Sequence, residues 1–286
     1  MRCGIRAAAA VLALWAGLAH ADDPADKTPE RKKAAEAAWE TVGAGEFSTL
    51  ETKHLLIYAP KDGEKRLKDL GTLLEKQYDQ AKSALGYDDK TDPLPAKAVV
   101  FLFDARDQFA AFVRRVEKRR LDSDETACFS ADDDALHAAV GPTPAKDDWG
   151  TDGRAAGQLA ALMLARKAGT KVPLPAWLTD GFGRATYYHA VGGPKTAADR
   201  RAAATWAAKG NVKDVWAGAT DSAALQGSLA DYFAYGPASG KFLALVKGFE
   251  PEENVEKQTT EHALDAAGLT PERVEKSWKA WATAAR

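Results

Sequence analysis

Six consecutive residues, Ala98-Val99-Val100-Phe101-Leu102-Phe103, carry no polar side chain. Side chains of a strand alternate between its two faces, so a run that is apolar at every position belongs to a strand covered on both sides. The chain must therefore build a sheet with structure packed over each face, and the flanking sequence offers it. Residues 50–58 read as another strand, leading to Pro60. Residues 63–85 carry Leu67, Leu70, Leu73, Leu74, Tyr78, Ala81 and Leu85 as a helical stripe. Residues 107–120 form a second helix with Phe109, Phe112 and Val113 on one side. Residues 128–130 and 135–140, joined across Asp132-Asp133-Asp134, read as a hairpin. Upstream, Thr28-Pro29-Glu30 opens a helix to about Thr41, with Thr as a suitable N-cap and Pro in the first turn, placed as an outlying arm. After Gly192-Gly193-Pro194 the pattern is helical, with segments at 223–234, 240–246 and 271–282 and no internal repeat.

The expected class is α+β. Residues 1–21 form a signal peptide, 22–45 a helical arm, 46–194 a mixed sheet subdomain with helices, and 195–286 a helical C-terminal subdomain. Arg2 and Arg6 precede an Ala/Leu-rich run ending near Leu18, and Ala19-His20-Ala21 is a small-x-small cleavage site, so the protein is expected to be exported, to the periplasm or outside the cell. The apolar run is too short for a stable membrane span, and no cysteine at the cleavage point provides for a lipid anchor. Cleavage would leave 265 residues with Cys128 as the one cysteine, hence no internal disulfide and a stability that rests on the core. It would also leave 37 basic against 41 acidic residues, a balance that argues against a nucleic-acid or anionic-membrane surface. The clusters Asp132-Asp133-Asp134 and Asp147-Asp148 lack the Asp-x-Asp-x-Asp-Gly pattern of a calcium loop and read as solvated turns.

Two neighbouring segments carry the functional signal: Ala156-Gly157-Gln158-Leu159-Ala160-Ala161-Leu162, and Pro175-Ala176-Trp177-Leu178-Thr179-Asp180-Gly181-Phe182. In an HExxH helix two histidines one turn apart hold zinc, and the Glu between them is the general base. The layout here resembles the active-site helix pair of gluzincin metallopeptidases, and Pro-x-Trp-Leu-x-Asp-Gly-Phe is similar to the P-x-W-L-x-E-G segment of secreted bacterial peptidase-like proteins. The resemblance covers residues 46 to 283. It implies a gluzincin-like fold, with an edge strand of the sheet beside the active cleft. It places Gly157 and Ala161 at the histidine positions, Gln158 at the general base, and Asp180 at the third ligand. Residues 162–179 lie between, as in the aminopeptidase N-like branch.

A catalytic zinc needs about three protein ligands and an open position. Glycine and alanine donate nothing, and Gln158 accepts no proton at neutral pH. The resemblance therefore implies a pseudo-peptidase: no zinc, no catalytic residues, and a cleft that still binds a peptide or protein partner. Its candidate lining is Gln158, Trp177, Asp180, Arg184 and Tyr187. Asp180, without a metal, is expected to pair with Arg154 or Arg184, or else to form an exposed i,i+4 pair with Arg184. His54 and His137 read as partly exposed strand residues, and His189 as a helix C-terminal cation. Tyr232 and Tyr235 lie in about the region where the family presents a Tyr to the metal, no spacing selects between them, and core packing is the preferred reading for both. Two other readings stay open: an active zinc peptidase with ligands in another register, and a purely structural envelope protein. No G-x-S-x-G elbow, phosphate loop or Cys/His pairing supports a different enzyme.

Overall fold

A computed structural model describes residues 27–61, 64–142, 149–169, 174–192, 195–218, 222–253 and 258–284. The expected signal peptide and Asp147-Asp148 lie outside the described residues. In chain order the elements are α1 (Thr28–Val42), β1 (Phe47–Glu51), β2 (Leu55–Pro60), α2 (Glu64–Ala84), β3 (Ala98–Leu102), α3 (Arg106–Arg115), β4 (Ala127–Ser130), β5 (His137–Val140), α4 (Gly150–Ala168), α5 (Ala176–Val191), α6 (Lys195–Ala207), α7 (Val212–Trp216), α8 (Ala223–Ala234), α9 (Ser239–Lys247), α10 (Thr260–Ala266) and α11 (Pro271–Thr283). The fold is α+β: a five-stranded mixed sheet followed by a largely helical remainder.

The sheet order is β1-β2-β3-β5-β4. The apolar strand β3 is its centre, parallel to β2 and to β5, while β1 and β4 are antiparallel edges. Ala98, Val100 and Leu102 enter the core under α2 and α4, whereas Val99, Phe101 and the following Phe103 enter a second core under α1 and α3. Both faces are covered, as the uninterrupted apolar run requires.

Three local departures from the sequence pattern have physical causes. The strand expected at 50–58 is broken into β1 and β2 by a bend at Thr52–His54, where Glu75 of α2 accepts hydrogen bonds from the Thr52 hydroxyl and from the His54 main-chain N–H. The helix expected to reach Arg120 stops at Arg115. Lys118 adopts a left-handed conformation (φ 54°), and the Arg119 N–H closes the turn on the Val113 carbonyl. His54 and His137 are buried rather than partly exposed, because each has a carboxylate: His54 Nδ1 lies 2.6 Å from Glu75, and His137 Nε2 lies 2.5 Å from Glu117.

Helix α1 is not an outlying arm. Its Ala35, Trp39 and Val42 are buried in the second core, and the Trp39 indole stacks on Phe103 at 5.3 Å and donates to the Gly45 carbonyl. The apolar core also runs without a break across residue 195, joining Leu162 and Phe182 to Phe233, Phe242 and Trp278. No helix among the described residues is long and apolar enough to cross a membrane. Trp39→Ala should destabilise the protein by about 3–5 kcal/mol in urea unfolding, as removal of a buried indole does; a loss below about 1 kcal/mol would make α1 the loose arm of the sequence reading.

Candidate functional site

The site is positioned by the crossing of α4 and α5. Helix α4 is rich in Ala and Leu and ends at Gly169, which adopts the left-handed C-cap. Helix α5 begins after Pro175, whose carbonyl accepts the N–H groups of Leu178 and Thr179. The two helices touch main chain to main chain. A Cβ on Gly183 would lie 2.7 Å from the Gly157 carbonyl oxygen and 2.8 Å from its Cα. Gln77 of α2, fully buried, ties the crossing by donating to the Ala156 carbonyl at 3.0 Å and more weakly to that of Gly183 at 3.4 Å.

Trp149, immediately before α4, lays its six-membered ring over Gly157, with two ring atoms 2.7 and 2.8 Å from where a Cβ would stand. Any side chain at 157 collides with that indole. The residues therefore do not fit a zinc centre of the HExxH kind at these positions. Gly157 and Ala161 offer no donor, and the space beside the first is filled by a ring. Ala161 is itself buried in the core. Among the described residues no three His, Cys, Asp or Glu side chains converge as a metal-binding group.

Beside the crossing lies a cleft of about 1140 Å³. One wall is the edge strand β4 with the turn after it; the other is formed by Gln158 and Arg166 of α4 with Asp180 of α5. The register fixes what β4 presents. The Gly141 N–H donates to the Thr126 carbonyl, so Thr126, Cys128 and Ser130 direct their main-chain groups to β5. Ala127 and Phe129 alternate with them and turn their N–H and C=O groups outward, to the open edge. The turn is pinned by Arg166, which donates to the Ala131 carbonyl at 3.0 Å and to the Asp133 carboxylate at 2.7 Å.

Gln158 is nine-tenths buried, lines the cleft, and has no side-chain hydrogen bond among the described residues. Asp180 opens to the water of the cleft on one side while protein closes around it on the others. That crowding pushes its pKa up, to about 6, with Arg154 opposing. Solvent in the cleft limits the rise, and the carboxyl remains mostly ionised at pH 7.5. At the far end, burial works to raise the Glu117 carboxyl, but His137 and Arg119 outweigh it and hold it below the usual range. The His137–Glu117 contact is close in distance but out of line for a hydrogen bond, so it acts as an electrostatic pair. Burial pushes the Cys128 thiol well above its ordinary value, with Glu117 adding to the effect. A thiol so protonated is a poor nucleophile.

Of the five lining residues expected from the sequence, Gln158 and Asp180 face the cleft and three are elsewhere. Trp177 is core, 1% exposed, with its indole N–H on the Thr260 hydroxyl at 3.1 Å and its ring near Phe233. Arg184 is buried in a bidentate pair with Asp199 of α6, at 2.6 and 2.9 Å, beneath the Tyr188 and Trp149 rings. It is therefore not the partner of Asp180; of the two expected guanidinium groups, Arg154 is the one whose charge Asp180 feels. Tyr187 packs on Trp149 and against Gly153. His189 pairs with Asp231 at 2.7 Å and stacks on Tyr235, whose hydroxyl donates to Thr186. The Tyr232 hydroxyl meets Ser277 at 2.6 Å, and neither tyrosine lines the cleft. Sequence reasoning missed the outward main chain of β4, the acidic turn as a wall, and the indole over Gly157. The adjacency of the hairpin to the helix pair was the one available signal for the first two.

Neither protein-family models nor curated proteins match the chain.

Gly157→Ala tests the crossing by its sign. In an ordinary helix the substitution gains about 1 kcal/mol. Here it should lose about 1–3 kcal/mol through overpacking on Trp149. In a Trp149→Ala background the loss should vanish, as thermal melts of the four-protein cycle would show; stabilisation in the wild-type background would contradict the contact.

Proposed function

We propose that the protein is an exported, catalytically inactive metallopeptidase-like protein whose cleft captures a segment of a peptide or protein partner in extended form. The observation that carries this reading is the outward main chain of Ala127 and Phe129 along the cleft, opposite the Gln158 side chain, which has no hydrogen bond within the protein among the described residues. An exposed edge strand is a template for one more strand, and main-chain pairing needs no metal. Each such hydrogen bond contributes about 1 kcal/mol net. The absence of donors at Gly157 and Ala161, and the amide of Gln158 where a base would stand, support a binding role over hydrolysis. The leader-like residues 1–21 support export.

Deleting residues 22–45 does not test the cleft by itself, because that deletion removes Trp39 from the second core. A cleaner test leaves the protein intact. Fluorescent ten-residue peptides are screened for binding to the mature chain, and the best binder is remade with N-methyl groups on alternate residues, in each of the two registers. Methylation in one register should weaken binding about thirtyfold, the equivalent of two lost main-chain bonds, and in the other should leave it unchanged. Ala127→Pro, which removes one outward N–H without touching the ladder to β5, should cost about fivefold. Equal binding by both methylated forms, or no binding by any peptide, would contradict the proposal.

A further inference from the structure

We infer that the segment captured along β4 is cationic: an extended stretch with Lys or Arg at alternate positions, read by Asp132, Asp134 and Asp180. This rests on the peptide-capture reading and specifies its ligand. Six carboxylates line the cleft against two guanidinium groups. Both guanidinium groups are already engaged from within. Arg119 forks onto Glu125 and approaches Glu117, and Arg166 holds Asp133. Among the described residues Asp132, Asp134 and Asp180 have no ion pair within 4 Å. Two further arginines lie within electrostatic reach without lining the cleft: Arg31 near Asp134, and Arg154 near Asp180. Counting both, the site remains acidic.

The excess of charge would be an ordinary solvated turn if it stood alone. The cleft adds a second feature, Gln158, a residue nine-tenths buried whose side chain faces the cleft with no protein hydrogen-bond partner among the described residues. The amide has no protein partner and is left to the water of the cleft, where a bound main chain or polar side chain can take that water's place. The geometry of an added strand then sorts the ligand's side chains. Alternate residues fall on the face that carries Ala127 and Phe129, both packed toward the α4 side, where Gln158 and Asp180 stand. Asp132 and Asp134 come two and four residues after Ser130, the last residue of β4, so they flank the end of the same added strand. Positive side chains meet complementary charge along this path, and negative ones meet like charge, which sets specificity more than affinity.

The test uses three labelled ten-residue peptides of one backbone sequence, with Lys, Gln or Glu at alternate positions. Their affinities are measured by anisotropy for the mature protein and for the triple variant Asp132→Asn/Asp134→Asn/Asp180→Asn. Three partly screened ion pairs, each giving a few-fold, predict a Lys-over-Gln preference of about tenfold at low salt. That preference should shrink on adding salt, collapse in the triple variant, and be accompanied by Glu-peptide binding weaker than Gln. Because the readout is a ratio between peptides, a general loss of affinity in the variant does not imitate it. Equal binding of the Lys and Gln peptides, or a preference that survives in the triple variant, would overturn the charge assignment while leaving peptide capture standing. Failure of all three peptides to bind would overturn both.

Discussion

The contact between the Gly157 and Gly183 main chains is the constraint on which the site depends. Two helices approach this closely only where neither carries a Cβ at the crossing, and once they do, the neighbouring positions are fixed. Gln158 is turned to the cleft, Asp180 stands across from β4, and Gln77 ties α2 to both helices through their carbonyls. Trp149 completes the arrangement by covering Gly157 with its ring. A histidine at 157 would have to displace that indole, so the geometry that supports the present packing is the one that excludes a metal ligand there.

Around this crossing the protein spends charge and polarity unevenly. The ion pair Arg184–Asp199 is buried and bidentate, and joins α5 to α6. A buried pair of this kind is strongly destabilising to break from one side, because the remaining charge is left without a partner. The cleft shows the opposite condition. Asp132, Asp134 and Asp180 carry charge without a close internal partner, Gln158 has an unused amide, and the β4 edge has unused main-chain groups. Inward-pointing or flanking charge on an edge strand is a recognised guard against promiscuous pairing between sheets. Here the same charge, set in a cleft rather than on an open edge, also selects which segment is admitted.

What the sequence made legible was whatever depends on local periodicity. The apolar run at β3, the stripe of α2 and the Asp-bridged hairpin all follow from neighbours in the chain, and the structure has them. What escaped depends on contacts far apart in sequence. Glu75 bends the chain at Thr52–His54 from another element, and Trp39 docks on Phe103 from across the sheet. Asp199 captures Arg184 before Asp180 can, because its helix places a carboxylate within hydrogen-bond reach of both guanidinium nitrogens. Trp177, conspicuous in its motif, serves the core. The early end of α3 turns on a lysine in the left-handed region, a conformation no composition rule assigns to lysine.

The most direct measurement is the metal content of the purified mature protein after incubation with zinc and desalting. A crossing closed by Gly157, Gly183 and Trp149, with no donor at 157 or 161, predicts zinc well below one per chain. One tightly held zinc per chain would mean that the helix pair opens to a different ligand set, and would contradict the account of the site.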